Sequence, residues 1–178
     1  MTSPNIPTNN KTQTTAFTVI GMKNDSIKIQ YTVFSDVEEL PAESRLLMEK
    51  AKAASLSAYA PYSKFRVGAA VLLGNGEIVL GNNQENVSYP EGLCAERVAL
   101  FAAVAQFPQE KIKMVAVYAN PMNYAQNHVV TPCGACRQVL AECEQRSGGN
   151  ISVLCGGTSG EVFAVESVQD LLPFNFKM

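Results

Sequence analysis

The chain reads Pro132-Cys133-Gly134-Ala135-Cys136-Arg137-Gln138 where a loop containing prolines gives way to a run of helix-forming residues. This pattern predicts a helix from about Cys133 to Arg146. Cys133 and Cys136 are three residues apart, so both thiols should lie on one face at the start of that helix. Taken alone, the pair is as compatible with a redox dithiol as with half of a zinc site.

A second cysteine motif, Cys94-Ala95-Glu96-Arg97, stands where another helix is expected to begin. Residues two apart do not face each other on a regular helix, so Cys94 and Glu96 can converge only if Cys94 sits in an irregular first turn. Three cysteine ligands would leave the fourth position of a tetrahedral zinc ion open to water, as catalytic zinc requires. A redox dithiol has no use for Cys94 or Glu96.

A structural zinc site would need a fourth protein ligand, which Cys143, Cys155 or His128 could formally supply. Cys143 lies seven residues beyond Cys136, about two helical turns away, and Cys155 falls in an apolar stretch. We therefore predict that both are core cysteines. His128, the one histidine of the chain, is expected to be a loop residue rather than a ligand.

Around these motifs, helical and strand patterns alternate, which predicts an α/β layered domain with a mixed sheet. A half-buried N-terminal strand is expected at residues 27–34, where apolar and polar residues alternate. The remaining predicted strands are Val67–Leu73, Glu77–Gly81, Met114–Ala119, Ile151–Cys155 and Glu161–Val165. The other predicted helices are Ala42–Tyr59, a buried helix Leu93–Gln106 and a short helix Ser167–Leu172.

Composition limits the function. The chain has 178 residues, a net charge of -2 and a pI near 5.5. No stretch concentrates Lys and Arg, which argues against a nucleic-acid polymer as partner and favours a small substrate. No apolar run reaches the length of a membrane span and no export signal is evident, so we expect a cytoplasmic protein without membrane contact. Residues 1–24 are expected to form a flexible tail and residues 25–178 a single domain.

The two motifs together resemble the cytidine deaminases, whose three-cysteine members carry this signature. The resemblance extends from about Ala58 to Phe176. It includes Tyr59-Ala60-Pro61-Tyr62-Ser63-Lys64-Phe65, Val67-Gly68-Ala69-Ala70, Asn83-Gln84-Glu85-Asn86 and Leu171-Leu172-Pro173. It implies a three-layer α/β/α fold with a mixed, mostly five-stranded sheet, and hydrolytic deamination of cytidine or deoxycytidine in pyrimidine salvage.

The resemblance also implies the roles of individual residues. One zinc ion per chain would be held by Cys94, Cys133 and Cys136. Glu96 would pass a proton from the attacking water to the ring nitrogen and then to the departing ammonia. Arg97, together with two helix N-termini, would offset the negative charge of three thiolates. Arg137, in contrast, is expected to be an ordinary surface arginine.

Further expected roles concern the substrate. The backbone amide of Ala95 and the carbonyl of Thr131 would hold the edge of the base, and Phe65 would pack near it. Asn83 and Glu85, which share a face of an extended segment, would bind the ribose hydroxyls. Tyr89 and Phe176 resemble residues that reach a neighbouring subunit's active site, which implies a homotetramer with shared sites.

Other functions remain open at the level of sequence. A deaminase for another aminated heterocycle, such as an aminopyrimidine antibiotic of the blasticidin kind, is the nearest alternative, although Asn83 and Glu85 favour a substrate with a sugar. A zinc-stabilised binding protein is the alternative from another class, but a purely structural site has no need of Glu96. Residues 1–40 and the long loop 120–130 depart from the family pattern, and the residues do not separate cytidine from deoxycytidine.

Overall fold

A computed structural model of the chain describes residues 23–123 and 128–177. The strands are β1 (Thr32–Phe34), β2 (Phe65–Leu73), β3 (Ile78–Asn82), β4 (Ile112–Pro121), β5 (Ser152–Gly157) and β6 (Val162–Val165). The α-helices are α1 (Ala42–Ser55), α2 (Ala95–Gln106) and α3 (Gly134–Ser147). Three short 3-10 helices lie at Val37–Glu39, Tyr89–Glu91 and Val168–Asp170.

The strands form one mixed sheet of six strands in the order β1-β6-β5-β4-β2-β3. Only β4 and β5 run parallel, and every other neighbouring pair is antiparallel. The five predicted strands after the N-terminal one are all present, and β1 adds a sixth at the edge. The prediction of a mixed sheet with five principal strands is therefore confirmed.

Helices cover both faces of the sheet. Along β2, Ala69 and Val71 belong to a core cluster that also includes residues of α2 and α3, whereas Ala70 and Leu72 belong to a second cluster beneath α1. This alternation buries both faces of the strand, since successive side chains point to opposite sides. The three-layer α/β/α arrangement is confirmed, and it brings the N-termini of α2 and α3 to the same side of the sheet.

The N-terminal strand is shorter than the predicted 27–34. Its partner β6 offers only three paired positions, opposite Thr32, Val33 and Phe34. Residues before Thr32 do not pair with β6, and the amide of Gln30 instead donates to the carboxylate of Asp170 at 3.0 Å. The apolar residues of the alternating segment remain about half exposed, with Ile29 at 48%. The prediction of one strand over residues 27–34 is wrong, because only Thr32–Phe34 are in a strand.

Three helix predictions also need correction. Helix α1 ends at Ser55 rather than Tyr59, because Tyr59 leaves the helix to form a bridge with Gln84. Helix α2 begins at Ala95 rather than Leu93, since Leu93 also pairs with Gln84. Only one side of α2 is buried, and Phe101 on the other side is 49% exposed. The last predicted helix is a single 3-10 turn at Val168–Asp170.

Two expectations fall on residues that the structure does not fully describe. The predicted tail, residues 1–24, lies outside the described residues except for its last two, so its boundary with the domain stays a prediction. Part of the long loop 120–130 lies outside them as well. Within the described ranges, no helix combines the length and the apolar character that crossing a membrane would require.

Candidate active site

The start of α2 has the irregular geometry that the sequence required. Cys94 is the N-cap residue, with an extended backbone (φ -70°, ψ 152°), and the helix begins at Ala95. The turn packs closely on β3 at Gly81, which has no side chain. A Cβ at that position would lie only 2.7 Å from the carbonyl oxygen of Ala95. This close approach fixes the positions of Cys94 and Glu96 relative to the sheet.

The start of α3 repeats this arrangement. Cys133 is the N-cap residue of α3, also with an extended backbone (φ -66°, ψ 166°), and Cys136 lies in the first turn. Cys136 is fully buried, whereas Cys133 is exposed and Cys94 is partly exposed. Two helix N-termini therefore present three thiols to one point, where the positive ends of the helix dipoles stabilise thiolates.

The spacing of the three sulfur atoms fits a tetrahedral metal ion. Cys94 Sγ lies 3.8 Å from Cys133 Sγ, and Cys133 Sγ lies 3.5 Å from Cys136 Sγ. Zinc binds thiolates at about 2.3 Å, which in tetrahedral geometry sets sulfur atoms about 3.8 Å apart. Among the residues that the structure describes, this is the one group of three potential ligands close enough to share a metal. Three soft donors with one open position suit catalytic zinc.

Cys94 accepts hydrogen bonds that favour its thiolate form. Hydrogen bonding from the thiol of Cys136, and then from the guanidinium group of Arg97, lowers the pKa of Cys94 to about 5 against the opposing effect of burial. The same interaction with the Cys94 thiolate, together with burial, raises the pKa of Cys136. Arg97 Nη2 lies 3.8 Å from Cys94 Sγ and 3.4 Å from the carbonyl oxygen of Gly92. The predicted contact of Arg97 with the thiolates is thus present at Cys94.

Glu96 brings a carboxyl group into this environment. Its side chain is only 5% exposed. Burial raises its pKa above the usual range for glutamate, and the negative charge of Cys94 adds to that effect. A buried carboxyl group with a raised pKa can accept and return a proton near neutral pH. The convergence of Cys94 and Glu96 at an irregular turn, inferred from their spacing, is confirmed.

A cavity of about 400 Å³ opens beside the cluster. Its wall contains eight of the residues singled out from the sequence: Phe65, Asn83, Glu85, Cys94, Ala95, Glu96, Thr131 and Cys133. Apolar side chains of Val67, Val117 and Val130 complete much of the remaining wall. The cavity therefore combines thiols and a buried carboxyl group with apolar side chains and the polar side chains of Asn83 and Glu85, which we call its polar end; this lining suits a flat heterocycle that carries a polar substituent.

Comparison with known proteins assigns this arrangement to a family. Residues 41–147 match the family described as "Cytidine and deoxycytidylate deaminase zinc-binding region". The chain belongs to this deaminase family. A cytidine deaminase of Halalkalibacterium halodurans is 38% identical over 134 residues, which cover 75% of this chain and 94% of that protein. A cytidine deaminase of Sporosarcina psychrophila is 41% identical over 141 residues, covering 79% of this chain and 91% of that protein.

The fold agrees with this membership. The crystal structure of a cytidine deaminase from Burkholderia pseudomallei matches with a TM-score of 0.64 and 39% identity, over 74% of this chain and 97% of that chain. The family is a zinc-binding one, and the donor set and spacing of Cys94, Cys133 and Cys136 fit that ion. Zinc is therefore the metal of this deaminase site.

The two candidate ribose-binding residues differ in how they are held. The side chain of Asn83 is bonded to the backbone of β2, accepting from the amide of Val67 at 2.7 Å and donating to the carbonyl of Phe65 at 3.0 Å. Glu85 instead accepts hydrogen bonds from the preceding loop at Tyr62 and Ser63. Asn83 thus has a structural function in addition to any contact with substrate.

Tyr89 and Phe176 lie outside the cavity of their own chain. Tyr89 is 75% exposed and Phe176 is 72% exposed. Tyr89 lines an adjoining depression of about 310 Å³ together with Glu85. The backbone of Phe176 is clamped to Gln138 of α3 by two hydrogen bonds of 3.0 Å, which leaves the ring directed to solvent.

Arg137 is not the surface arginine that we expected. It is partly buried, and it donates to the carbonyl oxygens of Pro132 at 2.8 Å and Leu171 at 3.0 Å and to the hydroxyl of Thr131 at 2.8 Å. Arg137 therefore ties the loop that carries Cys133 to the C-terminal segment. Local sequence gave no signal of this function, because Leu171 is 34 residues away along the chain.

Two further findings concern the other candidate residues. Cys143 and Cys155 are buried at 6% and 0% exposure and take no part in the three-sulfur group, so the prediction of core cysteines is confirmed. Ser63, which was given no role from the sequence, lines the cavity and bonds to Glu85. This connection depends on the tertiary contact between the loop before β2 and the segment that follows β3.

Proposed function

We propose that this chain hydrolyses the exocyclic amine of cytidine or deoxycytidine, giving a uracil nucleoside and ammonia. One observation carries the proposal: the buried carboxyl group of Glu96 lines the same cavity as the thiols of Cys94 and Cys133. The cytidine deaminases that the chain resembles over most of their length support this reaction class. Water adds to the ring carbon that bears the amine, the bond from that carbon to nitrogen breaks, and ammonia leaves.

Cys94, Cys133 and Cys136 would hold one zinc ion per chain. When bound, zinc supplies the Lewis acidity that makes a water molecule nucleophilic near neutral pH. Three thiolates carry more negative charge than the ion can neutralise, which would weaken that effect. Arg97, at 3.8 Å from Cys94 Sγ, and the two helix N-termini oppose this excess of charge.

Glu96 would carry the proton through the reaction. Its carboxylate accepts a proton from the attacking water, delivers it to the ring nitrogen and assists the departure of ammonia. Burial favours the protonated form of Glu96, so the residue holds the proton between these steps. A glutamic acid side chain in bulk solvent would release the proton at neutral pH.

The remaining cavity residues would orient the nucleoside. Ala95 is the first residue of α2, where backbone amides have no partner within the helix, so its amide is free to donate to the base edge. Thr131 would offer its carbonyl oxygen to the amine, and Phe65 would pack against the base. Asn83 and Glu85 would bind the sugar hydroxyls at the polar end.

We infer further that the active form is a homotetramer with shared sites. Tyr89 and Phe176 are aromatic, largely exposed and outside the cavity of their own chain. Large exposed aromatic residues are typical of protein–protein contacts. In a tetramer these rings would complete the cavity of a neighbouring subunit.

We infer a cytoplasmic location for the enzyme. All five cysteines are free thiols, and three of them must remain reduced to bind zinc. Reducing compartments maintain such thiols, whereas oxidising ones favour disulfides. Cell fractionation followed by immunoblotting tests this location, and recovery of the protein with secreted material would contradict it.

A substrate panel tests the reaction. Purified protein is incubated with cytidine, deoxycytidine, cytosine and dCMP, and ammonia release is measured. We expect turnover of the two nucleosides, weak turnover of cytosine because it lacks the sugar, and weak turnover of dCMP because the Glu85 carboxylate repels a phosphate. Ammonia release from none of the four would refute the proposed function, and a clear preference for cytosine would refute the assignment of a sugar-binding end.

A further inference from the structure

The loop before β2 is locked to the polar end of the cavity. The amide of Tyr59 donates to the carbonyl of Asn83 at 3.1 Å, and the amide of Glu85 donates to the carbonyl of Tyr59 at 2.9 Å. At the other end of the loop, Lys64 has a φ of 55°, in the left-handed region that a residue with a Cβ rarely adopts. Such a conformation persists only where surrounding contacts enforce it, so this loop has one defined shape.

The loop surrounds the carboxylate of Glu85 with donors. One carboxylate oxygen, Oε2, accepts from the amide of Tyr62 at 2.9 Å and from the amide of Ser63 at 3.3 Å. The other oxygen, Oε1, accepts from the hydroxyl of Ser63. Burial opposes ionisation of Glu85, but these hydrogen bonds outweigh it and hold its pKa below the usual range.

The Ser63 hydroxyl is also tied on its other side. Its oxygen accepts from the amide of Phe65 at 3.0 Å while its proton goes to Glu85 Oε1. A single hydroxyl thus connects the residue that would pack on the base with the residue that would bind the sugar. Both Phe65 and Glu85 line the cavity, as does Ser63 itself.

We propose that Ser63 is a positioning residue that orients the Glu85 carboxylate toward the sugar hydroxyls of the nucleoside. The inference rests on the proposed function, because it requires Glu85 to contact the sugar. A carboxylate oxygen has two acceptor sites, so Oε1 keeps one for a sugar hydroxyl after it has accepted from Ser63. Without the Ser63 hydroxyl, the backbone amides of Tyr62 and Ser63 hold only Oε2, and the carboxylate can rotate about that anchor.

The test compares substrates with and without sugar hydroxyls. A hydrogen bond to a charged group contributes enough free energy to change binding affinity about tenfold. We expect Ser63→Ala to raise the KM for cytidine about five- to tenfold and to change kcat by less than about twofold. The KM for 2′,3′-dideoxycytidine, which lacks both hydroxyls, should change by less than about twofold. Ser63→Thr keeps the hydroxyl on an exposed loop and should restore the KM for cytidine.

The variant Glu85→Ala and the double variant Ser63→Ala/Glu85→Ala separate two possible causes: an action of Ser63 through Glu85 and a direct contact of Ser63 with the sugar. If Ser63 acts through Glu85, then Ser63→Ala has no further effect on the KM for cytidine in the Glu85→Ala background. A full, additive effect in that background would show that Ser63 contacts the sugar itself and would overturn the inference. Ser57→Ala, at an exposed serine just after α1, is the matched control and should leave both KM values unchanged.

Failure of the inference can be distinguished from failure of the proposed function. If Glu85→Ala affects cytidine and 2′,3′-dideoxycytidine equally, Glu85 does not bind the sugar and the proposed assignment of the polar end is wrong. If Glu85→Ala affects cytidine selectively but Ser63→Ala does not, the sugar contact stands and the positioning role of Ser63 is refuted.

Discussion

In the proposed mechanism, metal binding and proton transfer fall to two neighbouring residues at the start of α2. Cys94 would supply one of the three thiolates, at the N-terminus of α2 where the helix dipole stabilises negative charge. Glu96, two positions along, is buried and faces the cavity. Three thiolates and one water complete a tetrahedral site, so Glu96 is not needed as a ligand. The two functions should therefore be separable by substitution.

Glu96→Gln keeps the size of the side chain but cannot accept a proton. We expect a folded protein with one zinc ion per chain that binds a nucleoside analogue normally. Its turnover of cytidine should fall at least ~100-fold, because general acid–base catalysis commonly contributes ~10²–10⁴-fold. Elemental analysis, calorimetric binding and ammonia release measure the three properties on one preparation.

Two cysteine variants serve as controls for this prediction. Cys136→Ala removes a ligand and should lose both zinc and activity. Cys143→Ala, at a buried cysteine outside the cluster, should leave the zinc content unchanged. If Glu96→Gln loses its zinc as Cys136→Ala does, Glu96 supports the metal and is not only a proton carrier.

Arg137 illustrates the limit of sequence reasoning at this scale. Cys94, Glu96, Cys133 and Cys136 could be predicted because their chemistry is visible in short spacings. The role of Arg137 could not, because it depends on acceptors that the fold brings together from the loop and from the C-terminal segment. The contact of Ser63 with Glu85 could not be predicted for the same reason.

Arg137→Lys should be disruptive although it conserves the charge. A lysine ammonium group cannot reproduce the planar fork that satisfies three separate acceptors. We expect the free energy of unfolding to fall by roughly 1–3 kcal/mol and the KM for cytidine to rise. Urea denaturation and steady-state kinetics measure the two effects. Arg146→Lys, at an exposed arginine in the last turn of α3, is the control, and equal behaviour of the two variants would contradict the prediction.

Among the elements, β3 determines how closely the start of α2 can approach the sheet. A Cβ on Gly81 would lie 2.4 Å from the amide nitrogen of Ala99 and 2.7 Å from the carbonyl oxygen of Ala95. Both atoms belong to the backbone, which cannot move aside as a side chain can. The absence of a side chain at residue 81 therefore lets α2 pack directly on the sheet and brings Cys94 to the cluster.

Gly81→Ala should push α2 away from β3. We expect a loss of roughly 1–3 kcal/mol in the free energy of unfolding, as for other overpacked positions. Zinc should also be removed faster by a chelator, because the displaced turn carries Cys94. Gly149→Ala is the control, since its Cβ meets nothing within 4 Å. Unchanged stability and chelation rate in Gly81→Ala would show that the contact does not position the helix.

The order and type of the main strands and of the three α-helices followed from the sequence because apolar periodicity and helix-start residues are local signals. Their ends did not, because pairing with distant segments decided them. Gln84 pairs with both Tyr59 and Leu93, which ends α1 early and delays the start of α2. The extent of β1 likewise depends on its pairing with β6, which stops at Thr32.

For the whole molecule, we propose that one chain does not make a complete site. Phe176 is held to α3 through its backbone while its ring remains exposed. Gln138 donates one of the two hydrogen bonds and accepts the other, so the backbone of Phe176 is held in place. A ring presented from such an anchored backbone is suited to enter the cavity of another subunit.

Mixing two defective chains tests this sharing directly. Phe176→Ala retains its own Glu96 and should show a raised KM, whereas Glu96→Gln is inactive but carries an intact Phe176. In a co-expressed mixture, subunits with intact Glu96 would receive Phe176 from Glu96→Gln neighbours, so a population of sites with low KM should reappear. Light scattering should report a tetramer for each variant and for the mixture. If the mixture shows only the kinetics of the Phe176→Ala enzyme diluted by inactive chains, each chain completes its own site. An active monomer at assay concentration would show the same.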